Sequence, residues 1–431
     1  MKQQKAQIIQ LQPTEEQRVY FARASGIARL AFNWALDWWN EQYKLHKEEG
    51  APRPNRVNTW KAWCAHKQAC KDERPWLYEV SSDVPKWVIY ESLPRAFANW
   101  WNPKTRQGPP NFKSKRTARR VFVGQDSCKP ANFRHRGIRL AKLGWVRCRS
   151  QLRWPASQVR RVTVFEQAGK WYASILFEDP DYTPPVHENQ AGAVGVDLGS
   201  RKLAVAYDGE SFQQWENPKA LDGALRRLRR WQRRAARRGV RDSKRRVLEV
   251  TRRLRKANSR IARLHKRVAD IRRWHGHNVS NALTRDYAVV GTEDLNVKGM
   301  MRSAKGTVEN PGKNVKAKSG LNRSVADAGM GELLRQIDYK AHWRGGERRQ
   351  VGRFFPSSRT CSDCGYKHDG LQAREHWACP FCGVVHDRDE NAAVNIYRET
   401  VGGSTPEPAD FGPRTPVESM ASAQGQLRLL E

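Results

Sequence analysis

The stretch Ala193-Val194-Gly195-Val196-Asp197-Leu198-Gly199-Ser200-Arg201-Lys202-Leu203-Ala204-Val205-Ala206 decides how this chain folds. It reads as two apolar strands around a polar turn, with a carboxylate, Asp197, closing the first. A second apolar run, Tyr287 to Leu295, reads as a buried strand that carries Glu293 near its end. A third acid, Asp389, lies in His386-Asp387-Arg388-Asp389-Glu390-Asn391-Ala392-Ala393, at the start of a helical pattern over 390–399. An unpaired carboxylate buried in a sheet is costly, so three such acids point to a cation that offsets them. Carboxylate oxygens suit Mg²⁺. Three of them can hold two ions roughly 3.5–4 Å apart for in-line phosphodiester hydrolysis. Taken singly, each acid also reads as a helix cap or an ion-pair partner.

Charge names the substrate class. The 431 residues carry 79 Lys and Arg against 44 Asp and Glu, a formal net charge of +35. Such an excess repels itself unless a polyanion neutralises it, which argues against an ordinary metabolic enzyme. With 17 Trp, 13 Phe and 11 Tyr the chain is too aromatic for a disordered basic tail. Nucleic acid is the natural polyanion, with counterion release driving much of the affinity. Between 221 and 276 there are 22 Lys or Arg and four Asp or Glu. This segment reads as a basic helical hairpin, 220–273. Its first helix spans 220–238 and is broken by Gly239. Its second carries apolar residues at Val247, Val250, Leu254, Ala257, Ile261, Leu264, Val268 and Ile271. Their alternating three- and four-residue spacing is a heptad seam. One sign of charge dominates the other faces, so they read as a nucleic-acid-facing surface, with Arg252, Arg253 and Arg260 as candidate phosphate contacts.

Cysteines supply the next signal. Cys361-x-x-Cys364 and Cys379-x-x-Cys382 are two knuckles separated by fourteen residues. Four thiolates close a tetrahedral zinc site with no open position, so the expected role is structural. A redox motif would need only one pair, and two disulfides would not persist in a reducing compartment. Cys64, Cys70, Cys128 and Cys148 are scattered and read as buried or incidental thiols.

Working outward, Thr14 with Gln17 is a capping-box signature for a helix running to about Lys47. Residues 17–110 read as mostly helical, with breaks at 49–55 and Pro85, and hold nine of the 17 Trp. From 111 to 181 the pattern is β. Arg160-Val162-Val164 and Trp171-Ala173-Ile175-Phe177 alternate around Ala168-Gly169-Lys170, a hairpin. Residues 180–190 read as a linker, 302–324 as a mobile loop, and Met330, Leu333, Leu334, Ile337 and Ala341 as a helix face. From 402 to 431 the chain reads as a disordered tail. The aromatic-polar groups Phe32-Asn33-Trp34, Trp38-Trp39-Asn40 and Trp100-Trp101-Asn102 are candidate DNA readers, with helix core as the competing role.

The stretches GVDLGSRKLAVA, VVGTEDLNVKGM, FFPSSRTCSDCGY and CPFCGVVHDRDENAAVNI, in this order, closely resemble the TnpB proteins of bacterial insertion sequences, relatives of compact type V CRISPR effectors. The resemblance runs from residue 5 to about 398 and implies an α/β multidomain RNA-guided DNA endonuclease. Its RuvC-like nuclease domain, an RNase H fold, would occupy 182–355 and 386–401, with a zinc-binding insert at 356–385. A helical recognition domain would span 13–110, and a β-barrel-like wedge domain 1–12 and 111–181. Asp197, Glu293 and Asp389 would bind two Mg²⁺. The match prefers Asp389 to Asp387, which is the second choice. The implied partners are a structured guide RNA and double-stranded target DNA read beside a short flanking motif.

Two readings compete within this class: a compact type V CRISPR effector, and a nuclease-silent RNA-guided repressor. The acidic residues at all three positions oppose the second. A transposase of the RNase H fold would order its carboxylates Asp, Asp, Glu, whereas here the order is Asp, Glu, Asp. No apolar run reaches the roughly 20 residues of a membrane span, and the N-terminus lacks the apolar core of a signal peptide. The expected location is the cytoplasm, away from membranes.

Overall fold

A computed structural model describes residues 3–402 except 106, 116–117, 125–127, 242–246 and 372–374. The expected tail, 402–431, lies outside the described residues apart from Gly402. The chain divides into two units, Met1–Thr183 and Pro184–Glu431.

In the first unit β1 (Gln3–Gln12) alternates strictly, burying Gln3, Gln7, Ile9 and Leu11. Gln7 is satisfied there, donating to the Gln151 carbonyl at 3.0 Å and accepting from the Arg153 amide at 2.9 Å. Thr14 caps α1 (Glu15–Glu49) with the full reciprocal capping box, and Gly50 ends it in the left-handed region at φ 68°. One face of α1 (Phe21, Ala24, Ile27, Ala31, Ala35) packs in the unit's core with Phe122 and Trp171, whose rings lie 5.7 and 5.0 Å from that of Phe21.

α2 (Arg56–Ala69) follows, then α3 (Asp83–Trp87), a π turn (Val88–Ser92) and α4 (Leu93–Trp101) in unbroken succession. Pro85 therefore does not break the helix. It sits in the first turn, where no intrahelical donor is needed. The π turn absorbs Pro94, whose missing N–H interrupts the ladder one turn later.

The strands of this unit are β2 (Val121–Gly124), β3 (Phe133–Arg134), β4 (Gly137–Leu140), β5 (Gly144–Cys148), β6 (Val159–Gln167) and β7 (Lys170–Asp179). With β1 they form one antiparallel sheet in the order β2-β6-β7-β1-β5-β4-β3. The order is open among the described residues, where no ladder joins β2 to β3, and β1 pairs first with β7 and then with β5. The β6–β7 hairpin turns at Ala168 and Gly169, both with positive φ, matching the strand twist.

The second unit is built on a five-stranded sheet of order β10-β9-β8-β13-β14. β8 (Ala193–Asp197), β9 (Lys202–Tyr207) and β10 (Phe212–Glu216) are antiparallel neighbours, whereas β13 (Val289–Glu293) runs parallel to β8 and β14 (Glu347–Val351) parallel to β13. Between β10 and β13 come α5 (Ala220–Ala236), the short strands β11 (Val240–Arg241) and β12 (Val247–Glu249), and α6 (Arg252–Asp286). The second helix thus starts later and ends later than expected. Thr251 caps it through the Leu254 amide, which leaves Val247 in a strand and Val250 exposed. The seam from Leu254 continues past 273 through Val279 and Leu283. The hairpin closes through Ala224, Leu228 and Val268. Buried Asp327 holds its base, accepting from the Leu221 amide and pairing with Arg272 at 2.7 Å.

α7 (Val297–Met300), α8 (Val315–Ala328) and α9 (Met330–Trp343) precede β14. α8 corrects the second half of the expected loop over 302–324; 302–314 carries no helix or strand. The helix buries only Val325, Asp327 and Ala328 and so shows no apolar period. Side-chain bonds from Lys318 and Asn322 to the carbonyls of Met300 and Met301 dock it instead. Last come the hairpin β15 (His376–Ala378) with β16 (Val385–Asp387), and α10 (Arg388–Val401).

Candidate carboxylate and cysteine sites

Because β8 and β13 are parallel neighbours, with Thr292 opposite Val196, their terminal acids Asp197 and Glu293 emerge at the same edge. Two glycines bring the third acid there. Gly195 and Gly291 are register partners, and α10 lies directly over them. A Cβ on Gly195 would collide with the Tyr397 amide and the Ala393 carbonyl, and one on Gly291 with Thr400. The bare backbone lets the helix seat closely, burying Ala392, Ala393 and Ile396. A Cβ on Gly199, just after Asp197, would lie 3.8 Å from Asp389 Oδ2.

Burial pushes the Asp197 carboxyl well above the usual range, and the Glu293 and Asp389 charges add to it; Arg388 and the Leu198 amide only partly oppose them. Asp389 is also raised, by burial and then by the Asp387 charge. Among the described residues no lysine or arginine forms a salt bridge with any of the three. The three carboxylates do not form a set whose oxygens lie within 4.8 Å of one another. A centre that spans two ions has no need of that, since its outer ligands bind different metals. An oxygen-only, acid-rich donor set that no salt bridge neutralises fits a hard divalent cation.

Asp387 has a different occupation. Its Oδ1 accepts from the Asp389 and Glu390 amides at 2.9 and 3.1 Å, capping α10, while Lys202 Nζ sits 2.9 Å from Oδ2. Burial would raise this carboxyl, but the lysine and the two amides hold it below its ordinary value. Its two oxygens are thus already engaged by the lysine and the helix amides, in contrast to Asp389.

The four knuckle sulfurs converge within 4.8 Å of one another. Cys361 and Cys382 are 3.6 Å apart, and Cys364 and Cys379 3.7 Å, far beyond a disulfide bond. A tetrahedron with Zn–S of about 2.3 Å has edges of about 3.8 Å, so the donor set fits zinc. Burial raises the Cys361 thiol and pushes that of Cys379 to about 11, so a cation is what would ionise them. None of the scattered thiols is in a disulfide: Cys148 is buried, Cys70 and Cys128 half-buried, Cys64 exposed.

Four residues here escaped sequence reasoning. Ser357 donates its hydroxyl proton to Glu293. Asn391 and Asn395, one turn apart on α10, both donate to the carbonyls of Ser357 and Thr360, and Asn391 accepts from the Ser362 amide. His386, buried against Trp377, lies 3.0 Å from Cys361 Sγ. These contacts tie α10, the Glu293 loop and the knuckle together. The only signal in the sequence was polar residues interrupting an otherwise apolar helix face.

Arg252, Arg253 and Arg260 are all exposed on α6. The structure adds a groove lined by Arg226, Arg227, Arg230, Arg233 and Arg234 of α5 and by Arg237, which caps its C-terminus. In the first unit the aromatic candidates split. Phe32 and Trp39 are core, and Trp34 stacks on His66, while Asn33 clasps both backbone groups of Lys113. Trp100 and Trp101 remain exposed, stacked on each other, with Arg53 over Trp101.

Three family models match: "Helix-turn-helix domain" over 1–48, "Probable transposase" over 174–304, and "Cas12f1-like, TNB domain" over 331–396. The first of these segments is here a strand and one continuous helix. An Escherichia coli protein named "Putative RNA-guided DNA endonuclease InsQ" is 35% identical over 92% of each chain. A Streptomyces pristinaespiralis protein named "Putative RNA-guided DNA endonuclease" is 30% identical over 91% of this chain and 88% of its own. A Cas12f1 chain solved with its guide RNA and target DNA superposes with a TM-score of 0.52 at 14% identity, covering 89% of this chain and 83% of that one, a likeness of fold. Near-full-length identity at this level, together with the ordered motifs, makes this chain a member of the TnpB family.

Proposed function

We propose that this protein is an RNA-guided DNA endonuclease of an insertion sequence, whose RuvC-type centre uses Asp197, Glu293 and Asp389 to hold two Mg²⁺. The observation that carries the reading is the edge where β8, β13 and α10 meet. There burial holds the Asp197 and Asp389 carboxyls above their ordinary range, Glu293 ends the neighbouring strand, and no lysine or arginine among the described residues forms a salt bridge with any of the three. Bound magnesium would supply an activated water and charge stabilisation for the departing oxygen. The chain's own task is to keep the acids convergent: Gly195 and Gly291 seat α10, Asp387 caps it, and Ser357 orients Glu293. A structural zinc on Cys361, Cys364, Cys379 and Cys382 would brace the neighbouring loop.

The remaining parts have the following proposed roles. Residues 13–110 act as a helical recognition domain, and 1–12 with 111–181 as a wedge. The nuclease domain is 182–355 and 386–401, interrupted by the zinc insert 356–385. The basic hairpin, with Arg252, Arg253 and Arg260, grips backbone phosphates of a guide–target heteroduplex, while pairing reads the target and the first unit reads a flanking motif. No helix among the described residues is long and apolar enough to cross a membrane, and the proposed location is the cytoplasm. The test is to purify the protein from its host, sequence the RNA that accompanies it, and offer matching DNA. Guided, Mg²⁺-dependent cleavage supports the function. An RNA-free protein that is inactive on every DNA would end it.

A further inference from the structure

Phe354 is 92% exposed, an unusual state for a phenylalanine whose backbone is tethered on both sides. It sits just past the end of β14, whose last residue, Val351, is the register partner of Glu293. One residue before it, Arg353 pairs with Asp294 at 2.6 Å. Three residues after it, Ser357 bonds Glu293. Between them the Phe355 amide closes a tight turn on the Gly352 carbonyl at 2.9 Å, with Phe354 in its third position. The turn therefore holds a bare ring beside the acidic edge, and no ring or cation contacts that ring among the described residues.

We propose that Phe354 is a stacking platform for an unpaired base of the DNA strand whose phosphate reaches Asp197, Glu293 and Asp389. The inference rests on the nuclease reading above. Carboxylates cannot attract a polyanion without metal, and a face that handles any target sequence cannot rely on base-edge hydrogen bonds. Every base offers a π face, so an exposed ring gives sequence-tolerant grip one or two nucleotides from the reacting phosphate. Phe354 is then a positioning residue for the strand rather than a member of the metal centre.

The experiment compares wild type, Phe354→Ala and Phe354→Trp, each full-length and loaded with guide RNA. Single-turnover cleavage is measured on target DNA carrying one abasic nucleotide, moved stepwise past the cut position. Wild-type cleavage of intact DNA checks the nuclease reading separately. Phe354→Ala should cut intact DNA about 5- to 100-fold more slowly, with guided binding unchanged, and Phe354→Trp should restore the rate. At one abasic position wild type should slow to the alanine variant's rate, and the alanine variant should slow no further. Equal rates for all three proteins, or an abasic effect just as large in Phe354→Ala, would overturn the proposal while leaving wild-type cleavage to stand.

Discussion

The two sheets treat their acids in opposite ways. In the seven-stranded sheet of the first unit, Glu166 on β6 pairs with Arg120 at 3.0 Å and Glu178 on β7 with Arg160 at 3.6 Å. Both arginines are more than half exposed and belong to an ordinary charged surface. In the five-stranded sheet of the second unit, Asp197 and Glu293 end adjacent parallel strands, face Asp389, and have no cationic side chain bonded to them. A sheet can discharge its acids at little cost, as the first unit shows. Leaving three of them without a salt bridge in a chain of charge +35 is what supports the proposed cation site. Asp387 repeats the lesson at shorter range: two residues from Asp389, it is fully engaged by Lys202 and the helix amides.

The sharpest way to break this contrast is to neutralise one acid of each kind. Asp197→Asn should lower guided cleavage at least about a hundredfold. It should also raise the melting temperature of metal-free protein at neutral pH, because it removes a repelled, buried charge. The pH dependence follows from the raised Asp197 and Asp389 carboxyls. Protons bind the folded state more tightly than the unfolded one. Metal-free stability should therefore be greatest at acid pH and decline as pH rises from the ordinary carboxylate value through the raised ones. Cleavage should move the other way, failing as these acids protonate. Glu178→Gln should leave cleavage unchanged and alter stability by at most about 1 kcal/mol. Calorimetry with and without EDTA, alongside cleavage rates, checks both variants. A destabilised Asp197→Asn would show that the acid has an architectural partner.

A second break acts on the seat rather than the acids. Gly195→Ala places a methyl group against the backbone of α10, and should destabilise the second unit by about 1–3 kcal/mol or more, with loss of cleavage. Denaturant unfolding followed by circular dichroism reads the loss. A neutral outcome would mean that α10 can lift without consequence.

How much of this was legible in the sequence depends on what holds each part. Strands β8, β9 and β13 and the acids that end two of them were readable because burial imposes an apolar run and the acids interrupt it, whereas β10 and β14, at the sheet edges and mostly polar, gave no such run. The four cysteines were readable because spacing alone defines a knuckle. α8 was not, since side-chain bonds to neighbouring carbonyls hold it, and such bonds leave no period. The roles of Asn391, Asn395 and Ser357 depend on which distant carbonyl or carboxylate the fold brings near. Pro85 misled because a proline signals an interruption without saying whether a helix is ending or beginning.

Smaller effects sharpen the picture further. His386→Gln removes the ring beside Cys361 and should weaken zinc retention about 10- to 100-fold, measured by competition with a chromophoric chelator. Neutralising Arg252, Arg253 and Arg260 together should weaken binding to every guided target alike. It should also flatten the salt dependence by roughly one unit of slope per lost phosphate contact. A change in the preferred flanking motif would contradict the role assigned to the hairpin.

The most direct test of the central claim is a count of divalent ions at the carboxylate edge. Guide-loaded protein on uncleavable target DNA is titrated with Mn²⁺ as the Mg²⁺ surrogate and followed by electron paramagnetic resonance, with Asp197→Asn and Glu178→Gln in parallel. The account predicts two magnetically coupled ions in wild type and in Glu178→Gln, and loss of the coupled pair in Asp197→Asn. No coupled pair in wild type, or the same pair in Asp197→Asn, would contradict it.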